Sequence, residues 1–235
     1  MARVRSVDLG NVFLDTLDGA CELVLVRHGE QELRADKSLG DNRDAPLSEL
    51  GRRQANAVGQ RLAALDIAAV HSSPMQRARD TGQAIAAHHD LQVTLHDSIE
   101  EVDIWRGLDQ DLTMVEANGG EEALVAVLRE ANRTSRWDAY PHGEDRLAFR
   151  ERVVTTIEAI AAAHTGERIV VACHGGVINA YLAHVWGSEL DNVCTVHHTS
   201  ITTVRAMDDL RRVVQVNDHE HVKSFQSELN PLNSA

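Results

Sequence analysis

Several things that mark membrane, secreted and nucleic-acid-binding proteins are missing from this chain. No run approaches the roughly 18 apolar residues of a membrane span. The opening Met1-Ala2-Arg3-Val4-Arg5-Ser6 is positively charged, but no apolar core follows it, so no secretory signal is expected. Cysteine is sparse: Cys21, Cys173 and Cys194 are too few and too scattered for a disulfide framework, and no Cys-x-x-Cys pair suggests zinc. A reducing cytoplasm is the expected compartment. Basic residues fall short of acidic ones, 23 against 36, and the net charge of -13 opposes nonspecific binding to nucleic acid or to an anionic membrane. An anionic small substrate is not opposed, because local arginines can reverse the field inside one pocket. Neither a Pro/Gly/Ser-rich linker nor a 20- to 50-residue repeat divides the 235 residues. A single domain is expected, with residues 1–20 as an amino-terminal arm, about 97–140 as a cap region and about 224–235 as a tail.

What is present is an ordinary globular composition, 43% hydrophobic and 25% charged, organised around Leu23-Val24-Leu25-Val26-Arg27-His28-Gly29-Glu30. Four consecutive apolar residues read as a strand covered on both faces. The side chains that follow lie at its carboxyl end, where open α/β sheets bind ligands. Gly29 lets the backbone turn there. Taken alone, the stretch also fits a strand end with a solvated Arg-His pair.

The arm carries no clear periodicity beyond a candidate strand at Asn11 to Leu14, and residues 30–46 read as a long loop of the kind that is often functional. Ser48 is the expected N-cap of a helix running to residue 65 on Leu50, Ala57, Val58, Leu62 and Leu65. Ile67 to Val70 is a second buried strand ending in His71-Ser72-Ser73-Pro74, and Pro74 suits the opening of a helix that runs to about His88. Leu91 to Leu95 alternates as a third strand. In the cap, Glu121 to Asn132 is expected to be helical. Leu147, Val153, Val154, Ile157 and Ile160 define a long helix between Glu144 and about His164. Ile169 to Ala172 is another buried strand and ends as the first did, in Cys173-His174-Gly175-Gly176. A helix from Val177 to Trp186 and a hairpin of Ser200–Arg205 with Val213–Val216 complete the pattern.

Alternating strands and helices predict an α/β fold, a three-layer sandwich with a mostly parallel central sheet and helices on both faces. Three strands then end on one edge and bring Arg27, His28, Ser72, Ser73, Arg77 and His174 together. Two guanidiniums and two imidazoles beside a helix amino terminus suit a phosphate ester, since arginine forks match phosphate oxygens. An imidazole can attack phosphorus and split hydrolysis into two easier steps. A second, protonated imidazole would stabilise the equatorial oxygens. The leaving alkoxide needs a proton from the far side, and the carboxyl candidates are Glu100, Glu101 and Asp103. Desolvation beside a substrate raises a carboxyl's pKa towards the range in which it donates.

Leu25-Val26-Arg27-His28-Gly29-Glu30 resembles the signature of the histidine phosphatase superfamily, which includes the cofactor-dependent phosphoglycerate mutases. The resemblance continues through Asp44 to Ala55, Ser72-Ser73-Pro74-Met75-Gln76-Arg77-Ala78, Gly143-Glu144-Asp145 and Ala172-Cys173-His174-Gly175-Gly176. It implies that His28 is the phosphorylated nucleophile, that Arg27 and Arg77 bind the phosphoryl group, and that His174 completes the pocket. Glu101-Val102 stands before Trp105-Arg106-Gly107, about two residues shorter than the family's acid loop; Glu101 fits the acid best, with Glu100 as the alternative. Gln31 and Arg34 replace the family's more usual residues and are candidate substrate contacts with Gly175. The remaining histidines, His88-His89, His197-His198, His219 and His221, are read as solvated or capping, because no carboxylate or cysteine stands beside them at ligand spacing. No metal and no cofactor is expected.

The leading expectation is therefore a metal-independent phosphomonoesterase acting on a small phosphorylated metabolite. A mutase and a non-catalytic phospho-ligand module are the alternatives, and a homodimer is compatible with each. The few basic residues of the cap (Arg106, Arg129, Arg133, Arg136) point to a substrate with one phosphoryl group.

Overall fold

The computed structural model describes residues 19–225. The expected strand at Asn11 to Leu14 and most of the arm and tail lie outside the described residues. The elements are β1 (Cys21–Arg27), α1 (Leu39–Arg43), α2 (Glu49–Leu62), β2 (Ala69–Ser72), α3 (Gln76–Ala86), β3 (Val93–Leu95), α4 (Met114–Ala117), α5 (Glu121–Thr134), α6 (Arg146–Ala163), β4 (Arg168–Cys173), α7 (Gly175–Val185), β5 (Ile201–Met207) and β6 (Leu210–Asp218). The sheet has the order β3-β2-β4-β1-β5-β6. Its pairs β1·β4, β4·β2 and β2·β3 are parallel, and β5 runs antiparallel to β1 and to β6.

Side-chain alternation along the apolar runs explains why they are continuous. Leu23, Leu25, Ile169 and Val171 pack with Phe149, Val153 and Ile157 of α6 and Ile178, Tyr181 and Leu182 of α7. Val24, Val26, Val70 and Val170 face the other way, onto Val58 and Leu62 of α2 and Ile85 of α3. Each strand is thus buried on both faces, as a parallel sheet between two helical layers requires. The three-layer α/β expectation holds, with the antiparallel β5–β6 hairpin, turned at Asp208-Asp209, along one side.

Local signals account for most helix ends. Ser48 caps α2 by accepting from Gly51 N–H, and Asp145 caps α6 by accepting from Leu147 and Ala148. Met75 gives α3 no such cap; Asp44, from the loop between α1 and α2, accepts from Gln76 N–H at 2.7 Å in its place. The loop of residues 30–46 is more ordered than expected: it contains α1 and closes through a bridge of Gln31 with Leu47. In α6 the buried aromatic is Phe149, while the expected Leu147 is 59% exposed. Leu65 likewise stands beyond the end of α2, exposed.

Register then sets the site. Arg27 lies beside Cys173 and Ser72 beside Ala172, so β1, β2 and β4 end together and their next residues share one edge.

Candidate active site

His28 is fixed before any ligand is considered. Its N–H donates to Cys173 O at 2.9 Å, its carbonyl accepts from Thr199 N–H at 3.2 Å, and Gly29 N–H donates to Thr81 Oγ1 at 3.1 Å. The Nδ1 of the ring lies 2.7 Å from Gly29 O. A carbonyl only accepts, so Nδ1 carries the proton and the Nε2 lone pair is free. That lone pair receives Arg77 Nε–H at 3.3 Å. Burial, followed by Arg77, His174 and Arg27, pushes the pKa of His28 well below the ordinary histidine value, so the ring is neutral. The loop behind it has no spare room: a Cβ on Gly29 would sit 2.4 Å from Gly51 O, so only glycine permits this approach of α2.

His174 lies edge-on to His28 with ring centroids 5.1 Å apart, and its Nε2 is 2.9 Å from Ser73 Oγ. Its Nδ1 is buried without a protein partner, as is Arg27 Nε. Burial, Arg77 and Arg27 hold the pKa of His174 well below its ordinary value. Arg27 donates from Nη1 to Val196 O at 2.5 Å and reaches the amino terminus of α7 beside Gly175. Arg77, in the first turn of α3, donates from Nη1 to Arg43 O at 2.8 Å.

The three carboxyl candidates separate cleanly. Arg43 pairs with Glu100 at 3.2 Å and with Asp103 at 3.3 Å, which engages both carboxylates. Glu101 turns inward: Oε2 accepts from Gly176 N–H in the first turn of α7, and Oε1 from Val102 N–H, both at 3.1 Å. The loop that bears it is tied to α6, where Arg152 donates to Ser98 O at 2.7 Å and Glu100 O at 3.0 Å and also grips Glu144. Glu144 in turn donates its backbone N–H to Asp103 O at 2.7 Å, which gives the Gly143-Glu144-Asp145 motif a physical purpose.

Gln31 lines a small apolar cleft of about 200 Å³ beside Arg77, together with Leu33, Met75 and Ile104. Arg34 is not brought to the site. Its guanidinium forms a bidentate pair with Asp36 at 3.0 and 2.9 Å and is 60% exposed. Asn42 clamps the Arg34 backbone from both sides. Arg34 opens a turn closed by Lys37 N–H donating to Arg34 O at 3.2 Å, which brings Asp36 against its guanidinium on the solvent side.

Sequence reasoning missed His198, whose ring lies 5.7 Å from that of His28. Burial and Arg27 lower its pKa to about 3. A signal was available: a strand antiparallel to β1 begins where β1 ends, so the residues before β5 arrive at the His28 edge. His197, expected solvated, stacks on His219 at 4.1 Å, and His221 reaches Thr199 Oγ1 at 3.3 Å. A further histidine cluster, equally unforeseen, links His71 Nδ1 to His96 at 2.9 Å and His71 Nε2 to His164 at 3.1 Å. Among the described residues, no group of three or more His, Cys, Asp or Glu is arranged to hold a metal ion. No helix among them is long and apolar enough to cross a membrane.

Residues 23–219 match the model of the histidine phosphatase superfamily (branch 1), and the chain belongs to that family. It is 34% identical over 198 residues to phosphoglycerate mutase-like protein 4 of Arabidopsis thaliana, covering 83% of this chain and 84% of that one. It is 28% identical over 207 residues to the metal-independent phosphoserine phosphatase of the same plant, covering 86% and 84%. The native structure of a mycobacterial glucosyl-3-phosphoglycerate phosphatase superposes with a TM-score of 0.70 at 25% identity, over 84% of this chain and 99% of that one. The enzyme class expected from the sequence, a histidine phosphatase, stands.

Proposed function

We infer that the protein hydrolyses phosphate monoesters of small metabolites without a metal, through a phosphohistidine at His28. The observation that carries this reading is the tautomer of His28: Nδ1–H is committed to Gly29 O, and the neutral Nε2 faces the Arg77 guanidinium. A phosphoryl group drawn in by Arg27 and Arg77 replaces the Arg77–His28 contact and presents phosphorus to Nε2. The P–Nε2 bond forms as the bond to the leaving oxygen breaks, and Glu101 delivers its proton to that oxygen. A water molecule then attacks phosphorus, returns a proton to Glu101, and releases inorganic phosphate with His28 neutral again. The dianion offsets the field of the two arginines, so His174 can take up a proton and, with its free Nδ1, support the equatorial oxygens.

His28→Ala is expected to abolish phosphate release from phosphomonoesters and labelling of the protein by a radiolabelled substrate phosphate. Turnover in that variant would refute the reading. Isomerisation of phosphoglycerate in excess of phosphate release would favour a mutase, and binding of a phosphate ester with no release by the wild type would favour a non-catalytic module.

A further inference from the structure

Two clefts meet at Glu101, and they differ in chemistry. In the apolar one beside Gln31, Arg43 is paired twice and the amide of Asn42 is bonded to backbone on both sides. The other, of about 540 Å³, opens between the amino terminus of α7, the end of α5 and the 192–196 loop. Its wall carries the side chains of Asn132, Ser135, Trp137, Tyr140, Asn192 and Thr195. Among the described residues, none of the six side chains makes a hydrogen bond, although the Nε1 of Trp137 is fully buried. Burial raises the pKa of Tyr140, so its hydroxyl stays a donor.

This chamber is neutral apart from Arg27 and Glu101 at its floor. The nearby cations are committed elsewhere, Arg136 to Asp138 and both Arg146 and Arg150 to Asp191. A second phosphate or a carboxylate would find no counter-charge on the wall. Hydroxyl groups would find amides and hydroxyls able both to donate and to accept. Trp137 and Tyr140, two of only eight aromatic residues in the chain, stack at 6.1 Å and lie at the chamber wall. Trp137 Cζ2, on the indole edge beside Nε1, comes within 3.2 Å of where a Cβ on Gly176 would lie, next to the Glu101 carboxylate. An aromatic face with surrounding amides suits the apolar face and hydroxyl rim of a sugar ring.

We propose that the leaving group is a neutral polyhydroxylated one, so that the substrate is a sugar or polyol monophosphate whose hydroxyls bind the side-chain amides of Asn132 and Asn192. This rests on the phosphatase reading above. In the reaction the ester oxygen leaves as the sugar alcohol, protonated by Glu101, and phosphorus passes to His28 and then to water.

The test compares glucose 6-phosphate with n-hexyl phosphate, an alkyl ester of equal carbon count without the hydroxyls, and with fructose 1,6-bisphosphate. The wild type is expected to favour glucose 6-phosphate over n-hexyl phosphate by at least ten-fold in kcat/KM, since a site built to bond hydroxyls rejects the analogue lacking them. It is expected to disfavour the bisphosphate. Asn132→Leu and Asn192→Leu, each checked for an unchanged melting temperature, should each reduce the sugar-to-alkyl ratio several-fold. Preference for hexyl phosphate or the bisphosphate, or an equal fall for both esters in both variants, overturns the inference alone. Failure to release phosphate from any ester overturns the phosphatase reading as well.

Discussion

Replacing Gly176 by alanine puts pressure on two side chains, mainly on Glu101 and slightly on Trp137. A Cβ at this position lies 2.3 Å from Glu101 Oε1, 3.2 Å from its carboxyl carbon and 3.2 Å from Trp137 Cζ2, which has to give by only a few tenths of an ångström. The first distance is ~1 Å short of ordinary van der Waals contact, so the carboxylate retreats by about that much. The carboxyl is the far end of a flexible side chain and the fold tolerates its movement. Alanine also favours a helix interior over glycine by up to ~1 kcal/mol, so the melting temperature is expected to stay equal or rise slightly. A retreat of this size moves the proton donor off the leaving oxygen and is expected to lower kcat on the order of 100-fold, about 2.7 kcal/mol of barrier. Steady-state phosphate release from an alkyl phosphate measures the loss. The loss should be much smaller with p-nitrophenyl phosphate, whose phenolate departs without a proton. Adding Glu101→Asp, one methylene shorter, to Gly176→Ala should recover part of the rate, although Glu101→Asp alone lowers it. A kcat within two-fold of the wild type on the alkyl ester, or equal losses on both esters, would refute the assignment of Glu101 as proton donor.

Other predictions address the surroundings. Ser73→Ala removes the hydroxyl beside His174 Nε2 and should lower kcat by about ten-fold, about 1.4 kcal/mol, measurable by phosphate release. Asp191 is 2% exposed and holds Arg146, Arg150 and the backbone N–H of Trp137. Asp191→Ala leaves those cations unpaired, should cost about 3–5 kcal/mol, and should lower the melting temperature on the order of 10 °C in calorimetry. Burial, then His96 and His164, depress His71 from an ordinary 6.5 to about 4. Between those values the unfolded chain binds a proton that the folded chain refuses, so stability is retained above pH ~6.5 and falls as pH drops towards ~4. Solvent screening at the half-buried His96 and His164 reduces the full ~3 kcal/mol to about 1–2 kcal/mol. Denaturation at pH 7 and pH 5 should therefore show a smaller difference for His71→Leu than for the wild type.

What the sequence reveals tracks how local each determinant is. The runs at 23–26 and 169–172 are legible because both faces of each strand are buried and no alternation interrupts them. β2 lies two residues beyond its apolar run because His71 and Ser72, polar in type, are buried in the ladder while Ile67 precedes it. Helices α1 and α4 span 5 and 4 residues, too short to show a period. The Asp44 cap of α3, the His71–His96–His164 cluster and the contact of His198 with His28 join residues far apart in the chain, and no spacing rule exposes them. Arg27, His28, Arg77 and His174 were legible because each lies within a few residues of a recognisable strand end. Arg34 misleads because its neighbour Asp36 captures it locally.

The clamp on His28 carries one further consequence. Its backbone N–H is bonded to β4, its carbonyl to the loop entering β5 and its ring Nδ1–H to Gly29 O, so the imidazole proposed to receive the phosphoryl group is held in place and cannot swing to deliver it elsewhere. Every acceptor has to travel to the phosphorus. Whether water or an alcohol ends the cycle is then a contest of residence times: an alcohol product that lingers in the chamber can take the phosphoryl group back, while one that departs quickly leaves it to solvent.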